Sequence, residues 1–105
     1  MLNTLTALAE PNRLRIVEHL VHGPRSVGEL SASLQLQQPQ VSKHLRALRE
    51  SGLVTVHAVA QQRIYALRPE PFVELHGWLA GFRALWEERF AGLDAVLSTL
   101  QTPEE

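Results

Sequence analysis

The stretch SVGELSASLQLQQPQVSKHLRALRESG at 26–52 decides the fold. Ser26 and Glu29 stand in capping-box spacing, which starts a helix at Ser26. Val27, Leu30 and Leu34 follow at helical spacing and supply its apolar stripe. The segment around Leu34–Gln37 is a turn. Pro39 suits the first turn of a second helix. That helix runs to Ser51 and ends at Gly52. Two helices joined by so short a turn form a helix–turn–helix, the arrangement that lays its second helix in a DNA major groove.

A rotation of about 100° per residue sorts the second helix into faces. Val41, Leu45 and Leu48 cluster on the side toward a core. Pro39, Lys43, Arg46 and Glu50 point the opposite way, with Ser42 and Arg49 on one flank of that exposed face. Gln38 and Gln40 protrude near the N-terminus, the end that reads bases in such units. Gln bonds adenine bidentately, while Lys and Arg bond guanine or phosphate. His44 falls nearer the core and is a packing or phosphate residue rather than a base reader. An isolated Lys-His-Leu-Arg segment would be an ordinary solvated face. Its place on the second helix of this unit, ahead of a hairpin, gives it meaning.

Working outward, residues 2–9 (LNTLTALA) form a short helix with Leu2, Leu5 and Leu8 on one stripe. Pro11 opens another helix, in which Leu14, Val17, Leu20 and Val21 recur until Gly23-Pro24 stops it. Past Gly52, LVTVHAV is rich in β-branched residues and reads as a strand, and RIYAL reads as a second. The tip Ala60-Gln61-Gln62 lacks the glycine usual in tight hairpins. It presents Gln61, Gln62 and Arg63. Arg63 has two readings: a phosphate or minor-groove contact, since wings lie along the backbone, or a charged hairpin end that keeps the strand soluble.

The pair of prolines in RPEPF at 68–72 marks a junction inside one domain, 1–105. From Glu70 to about Gln101 the pattern is helical, with Phe72, Leu75, Leu79, Phe82, Trp86, Leu93, Val96 and Leu100 at spacings of three and four. Arg89 breaks the seam. This is more apolar seam than a small domain needs for its own core, and it is read as a dimer interface. The fold class is therefore α+β and mostly helical. It is a winged helix–turn–helix with a two-stranded wing over 53–67 and a long C-terminal dimerisation helix over 70–101.

Composition narrows the function. The 105 residues are 45% apolar and 20% charged, ordinary for one globular domain. The absence of cysteine excludes disulfides, zinc ribbons and a cysteine nucleophile. No apolar run approaches the roughly 20 residues of a membrane span, and MLNTLTALAE lacks the charged start of a signal peptide. A cytoplasmic protein without membrane contact is expected. The net charge of −1 hides an asymmetry. Residues 1–68 carry eight Lys/Arg against four Asp/Glu, and residues 69–105 carry two against seven. Opposite signs in the two halves point to different partners.

ALAEPNRLRIVEHL, SVGELSASLQLQQPQVSKHLRALRESGLV and RIYAL together resemble the ArsR/SmtB family of bacterial transcriptional repressors. The similarity runs from about Leu5 to Leu67. It implies a homodimer on a roughly two-fold operator, often upstream of its own operon. It implies major-groove roles for Gln38, Pro39, Gln40, Ser42 and Lys43, where Pro39 can offer only apolar contact. It also places the dimer interface on the long last helix together with the N-terminal helix, hence Leu2 and Leu5.

Many members of that family sense metals. One family site uses two cysteines separated by one residue, and here those positions hold Ser26 and Gly28. A second family site on the last helix is met only by Glu74, His76 and Glu87, with Phe90 at the remaining position. A closed zinc site wants four ligands, usually nitrogen or sulfur, so neither a metal nor another cofactor is expected. His19 and His22 sit three apart on one helix end, His57 on a strand. Surface histidines are the plainer reading.

The leading function is a sequence-specific DNA-binding regulator, a repressor that blocks its operator sterically. Its partners would be double-stranded operator DNA and a second copy of itself; control by an unidentified small-molecule or protein effector, or by concentration alone, stays open. The alternative is a winged-helix docking module with non-specific DNA affinity, using Trp78 and Trp86 on the acidic last helix as anchors. An enzyme is excluded by the lack of a phosphate-binding glycine loop and of any triad. Ser42, Lys43 and His44 are neighbours in sequence but point in different directions on a helix.

Overall fold

The computed structural model describes residues 1–89 and residue 92. The chain divides into two units, Met1–Glu74 and Leu75–Glu105. The first runs through α1 (Leu2–Leu8), α2 (Pro11–Leu20), β1 (Arg25–Ser26), α3 (Val27–Leu34), α4 (Gln38–Glu50), β2 (Val54–Val59), β3 (Gln62–Leu67) and the first turns of α5 (Pro69–Ala80).

Burial of aliphatic side chains organises this unit. Ile16, Val17 and Leu20 of α2 meet Leu30 and Leu34 of α3 and Val41, Leu45 and Leu48 of α4. Leu53, Val54 and Tyr65 close the core from the sheet side. Each fully buried Leu or Ile contributes about 1.5–3 kcal/mol relative to exposure. The stripes expected for α3 and α4 are the buried ones, except that Val27 is only half-buried.

The sheet has the order β1-β3-β2 and is antiparallel throughout. β2 and β3 pair from Val54↔Leu67 to Val59↔Gln62, leaving Ala60 and Gln61 as a two-residue tip. Ala60 takes the glycine role with a φ of 56°. The wing is the two-stranded hairpin expected, and β1 adds a third strand to its sheet through Arg25↔Tyr65 and Ser26↔Ile64. Two residues are too few to show an alternating pattern.

The α2 stripe is corrected, while α1 keeps its leucine stripe out of the buried core. α1 buries Thr4 and Ala7, while Leu2 is 75% exposed. The small side chains let α1 lie against α2, and the Arg13 guanidinium locks the corner by donating to the Ala7 carbonyl at 2.8 Å. In α2, Ile16 is buried instead of Leu14, and Val21 is 66% exposed. Val21 is the C-cap, still helical with its N–H on Val17 O at 3.0 Å, so it lies about 100° round from the buried Leu20 and faces outward.

In the second unit, the seam expected as one helix is divided. α5 ends at Ala80, Gly81 and Phe82 turn, and 83–89 are helical again. The turn is held by Gly81 N–H to Trp78 O at 3.2 Å and Phe82 N–H to Leu79 O at 3.0 Å. Gly77 and Gly81 each cost a helix about 1 kcal/mol relative to alanine, a term that apolar spacing alone omits. The Trp78 and Phe82 rings meet edge to face, 5.2 Å between centroids.

Candidate nucleic-acid interface

The reading helix is aimed by the elements before it. Glu29 N–H donates to Ser26 Oγ at 3.1 Å and Ser26 N–H to Glu29 Oε1 at 2.9 Å, the reciprocal cap the spacing foretold. Ser26 N–H, then its hydroxyl, holds the Glu29 carboxyl below its ordinary range. α3 ends at Gln35, left-handed at φ 56°. Leu36 N–H bonds back to Ser31 O at 3.2 Å, and the Ser31 hydroxyl donates to Leu36 O. Arg15 of α2 donates to Leu34 O at 3.1 Å, satisfying another end carbonyl. The chain thus enters α4 with its direction fixed, and Pro39 opens the helix.

On α4, Gln38, Pro39, Gln40, Ser42, Lys43, Arg46 and Arg49 are all exposed. On the wing, so are Gln61, Gln62 and Arg63. Two adjoining depressions lie between helix and wing. One, of about 360 Å³, is lined by Val27, Ser42, Arg46, Arg49, Arg63 and Tyr65. The other, of about 350 Å³, is lined by Ser26, Val27, Gly28, Gln38, Ser42, Gln61, Gln62 and Arg63. The structure therefore brings seven of the ten expected residues into one concave surface. Pro39, Gln40 and Lys43 stand outside it on α4. Gln40 Oε1 also accepts from Gln37 N–H at 3.4 Å. Arg46 sits 3.4 Å from Glu50, both highly exposed, so that pair is easily broken. Tyr65 was missed. Its signal was its place two residues after Arg63, on the same face of β3.

His44 is half-buried and turned away from this surface, with Nδ1 3.5 Å from Glu10 Oε2. Glu10 caps α2 by accepting from Arg13 N–H at 2.8 Å. Burial works against its charge, but the N–H groups of Arg13 and Asn12 and the charges of His44 and Arg13 hold its carboxyl below the ordinary value. His19 Nδ1 lies 2.9 Å from Arg15 O, and His22 and His57 are exposed.

The residues do not fit a family metal site. Ser26 spends its hydroxyl on the α3 cap and Gly28 has no ligand. Glu74 is engaged by the Met1 amino group at 2.6 Å. Among the described residues no group of three or more His, Cys, Asp or Glu gathers to hold an ion.

Of the expected dimer residues, Leu2, Leu79, Phe82 and Trp86 are exposed, and Leu5 and Leu75 are half-buried. Phe72 is corrected in part: it packs against the core of its own unit. Leu93 lies outside the described residues.

A helix–turn–helix whose polar, basic second helix stands beside a β-hairpin defines a winged-helix DNA-binding domain. Residues 10–56 match the bacterial regulatory proteins of the arsR family. The chain belongs to this family of transcriptional regulators, and its function is DNA-binding regulation of transcription rather than catalysis. It is 38% identical over 93 residues to the HTH-type transcriptional regulator Rv2034 of Mycobacterium tuberculosis, covering 89% of this chain and 84% of that one. It is 41% identical over 71 residues to the biofilm growth-associated repressor of Agrobacterium fabrum, covering 68% of this chain and 61% of that one. The crystal structure of the ArsR family transcriptional regulator RHA00566 superposes with a TM-score of 0.67 at 34% identity, over 81% of this chain and 88% of that one. The docking-module alternative finds no support among these relatives.

Proposed function

We propose that the chain is a cytoplasmic homodimeric repressor that occupies a two-fold operator and blocks it sterically. Gln38, Gln40 and Lys43 meet base edges, Pro39 and Ser42 pack beside them, and Arg46, Arg49, Gln61, Gln62 and Arg63 follow the backbone. The observation that carries this reading is the concave surface shared by α4 and the wing, lined by Gln38, Ser42, Arg46, Arg49 and Arg63. Phosphate contacts supply most of the affinity and base contacts the specificity. The dimer residues are Leu2, Leu5 and Phe72 from the first unit and Leu75, Leu79, Phe82, Trp86 and Leu93 from the second. A small-molecule or protein effector, where one exists, would bind the two states of the dimer unequally.

The test is fluorescence anisotropy with the duplex just upstream of the protein's own gene, at fixed salt and with excess unrelated duplex. Binding that survives the competitor supports an autoregulating repressor. Binding that the competitor abolishes, for this duplex and for duplexes selected from a random library, refutes it. Lys43→Ala is expected to lose operator affinity with the fold intact, and unchanged affinity at matched salt removes the outer face of α4 from the reading role.

A further inference from the structure

We propose that His44 is a positioning residue for the reading helix: its protonated imidazole pairs with Glu10 and pins α4 to the corner between α1 and α2. His44 Nδ1 lies 3.5 Å from Glu10 Oε2, with both side chains partly buried. The same oxygen accepts from Arg13 N–H at 2.8 Å. The Arg13 guanidinium in turn donates to Ala7 O and Thr6 O at the end of α1. The carboxylate is therefore already fixed where the imidazole meets it.

The rest of α4 offers no such tie among the described residues. Its buried face is Val41, Leu45 and Leu48, and apolar packing is non-directional. Gln40 bonds within its own N-terminal cap, and Arg46 pairs with Glu50 on the same helix. His44 follows Lys43 directly, about 100° round the helix, so a hold on one sets the angle of the other. A helix already held at its reading angle loses less freedom on binding DNA.

Imidazole is the side chain that changes charge between about pH 5 and 8, so the tie is present at the acid end and released toward the alkaline end. Other charged groups on the elements around α4 point elsewhere. On α2, Arg15 bonds Asn12 and Leu34 O, His19 lies against Arg15 O, and Glu18 is exposed. Helix α1 has no titratable side chain, and α3 has only Glu29, exposed and bonded to Ser26. Strand β2 has only His57, also exposed. On α4 itself, Lys43, Arg46, Arg49 and Glu50 are exposed.

Glu10→Gln keeps an acceptor for the Arg13 N–H and removes the charge, and His44→Gln keeps a polar side chain and removes the titration. Matched melting temperatures at about pH 8 verify the fold. In one arm, hydrogen exchange of the α4 amides is followed by NMR in the free protein. At about pH 6 each single variant is expected to exchange about fivefold faster than the wild type, and the double variant no faster than either, because both changes remove one interaction. At about pH 8 the four proteins are expected to match. The other arm, which rests on the DNA-binding surface proposed above, reads operator affinity by anisotropy. The wild type is expected to exceed each variant by about tenfold at about pH 6, from two pairs per dimer, and to match it at about pH 8. Unchanged exchange at the lower pH, additive effects in the double variant, or an affinity loss that is absent or equal at both pH values overturns the proposal. A loss equal at both would leave Glu10 as a helix cap alone. A wild type that binds no operator overturns only the DNA surface, and the exchange arm still decides the tie.

Discussion

Replacing Arg63 by glutamine tests whether the wing touches DNA. Arg63 pairs across from Ala58, one register position from the Ala60-Gln61 tip, and is exposed. Its removal leaves no buried partner behind, so the melting temperature is expected to stay unchanged. Each neutralised phosphate contributes about 0.9 to the slope of log affinity against log salt. A two-fold dimer loses two such contacts, so the slope falls in magnitude by about 1.8. Between about 50 and 200 mM salt, a fourfold change, the affinity ratio of wild type to variant then narrows by about twelvefold. Anisotropy titrations of one duplex at several salt concentrations measure both lines. A change of about 0.9 means that one wing per dimer is engaged. Parallel lines refute the reasoning and leave Arg63 as a solubilising charge at a hairpin end.

Other perturbations address other levels. Leu79→Glu places an unpaired charge in the proposed seam and is expected to weaken dimerisation by about two orders of magnitude, with DNA binding falling too; a dimer by light scattering at unchanged concentration refutes the interface. Gln35→Gly relieves a left-handed backbone worth about 1 kcal/mol and is expected to raise the melting temperature by about 5 °C; a fall would show that the side chain matters more than the turn. The Glu10 and Glu29 carboxyls are held below their ordinary value of 4.5 in the folded chain. Their contribution is present above that value and lost as pH falls through the lowered one. Stability is thus expected to decline as pH falls below 4.5, and Glu29→Gln should make that limb shallower. An unchanged limb would remove Glu29 from the account.

The helix–turn–helix was legible because two physical signals agreed. The Ser26–Glu29 cap marks a start, and the α4 spacing separates Val41, Leu45 and Leu48 from Lys43 and Arg46. Elements whose conformation depends on distant neighbours were not legible. β1 exists only because Ile64 and Tyr65 lie opposite it. Gln35 and Ala60 adopt positive φ although neither is the residue type that advertises it. α1 turns Thr4 and Ala7 inward because Arg13 fixes its end, which no leucine count foresees. The same holds for the site. Each exposed cation was readable from helical angle or strand order, but the concavity that joins α4 to the wing, and Tyr65 within it, needed the fold.

Ser26 belongs to two machines at once. It pairs with Ile64 in the sheet and caps α3 in the next bond of the chain. No spacer residue separates the sheet's third strand from the first turn of the helix–turn–helix. The reading helix and the wing are therefore the jaws of a calliper brazed at its pivot, with a gap set during folding. In the proposed dimer, tuning then operates on how far apart two fixed callipers stand, and not on the opening of either one.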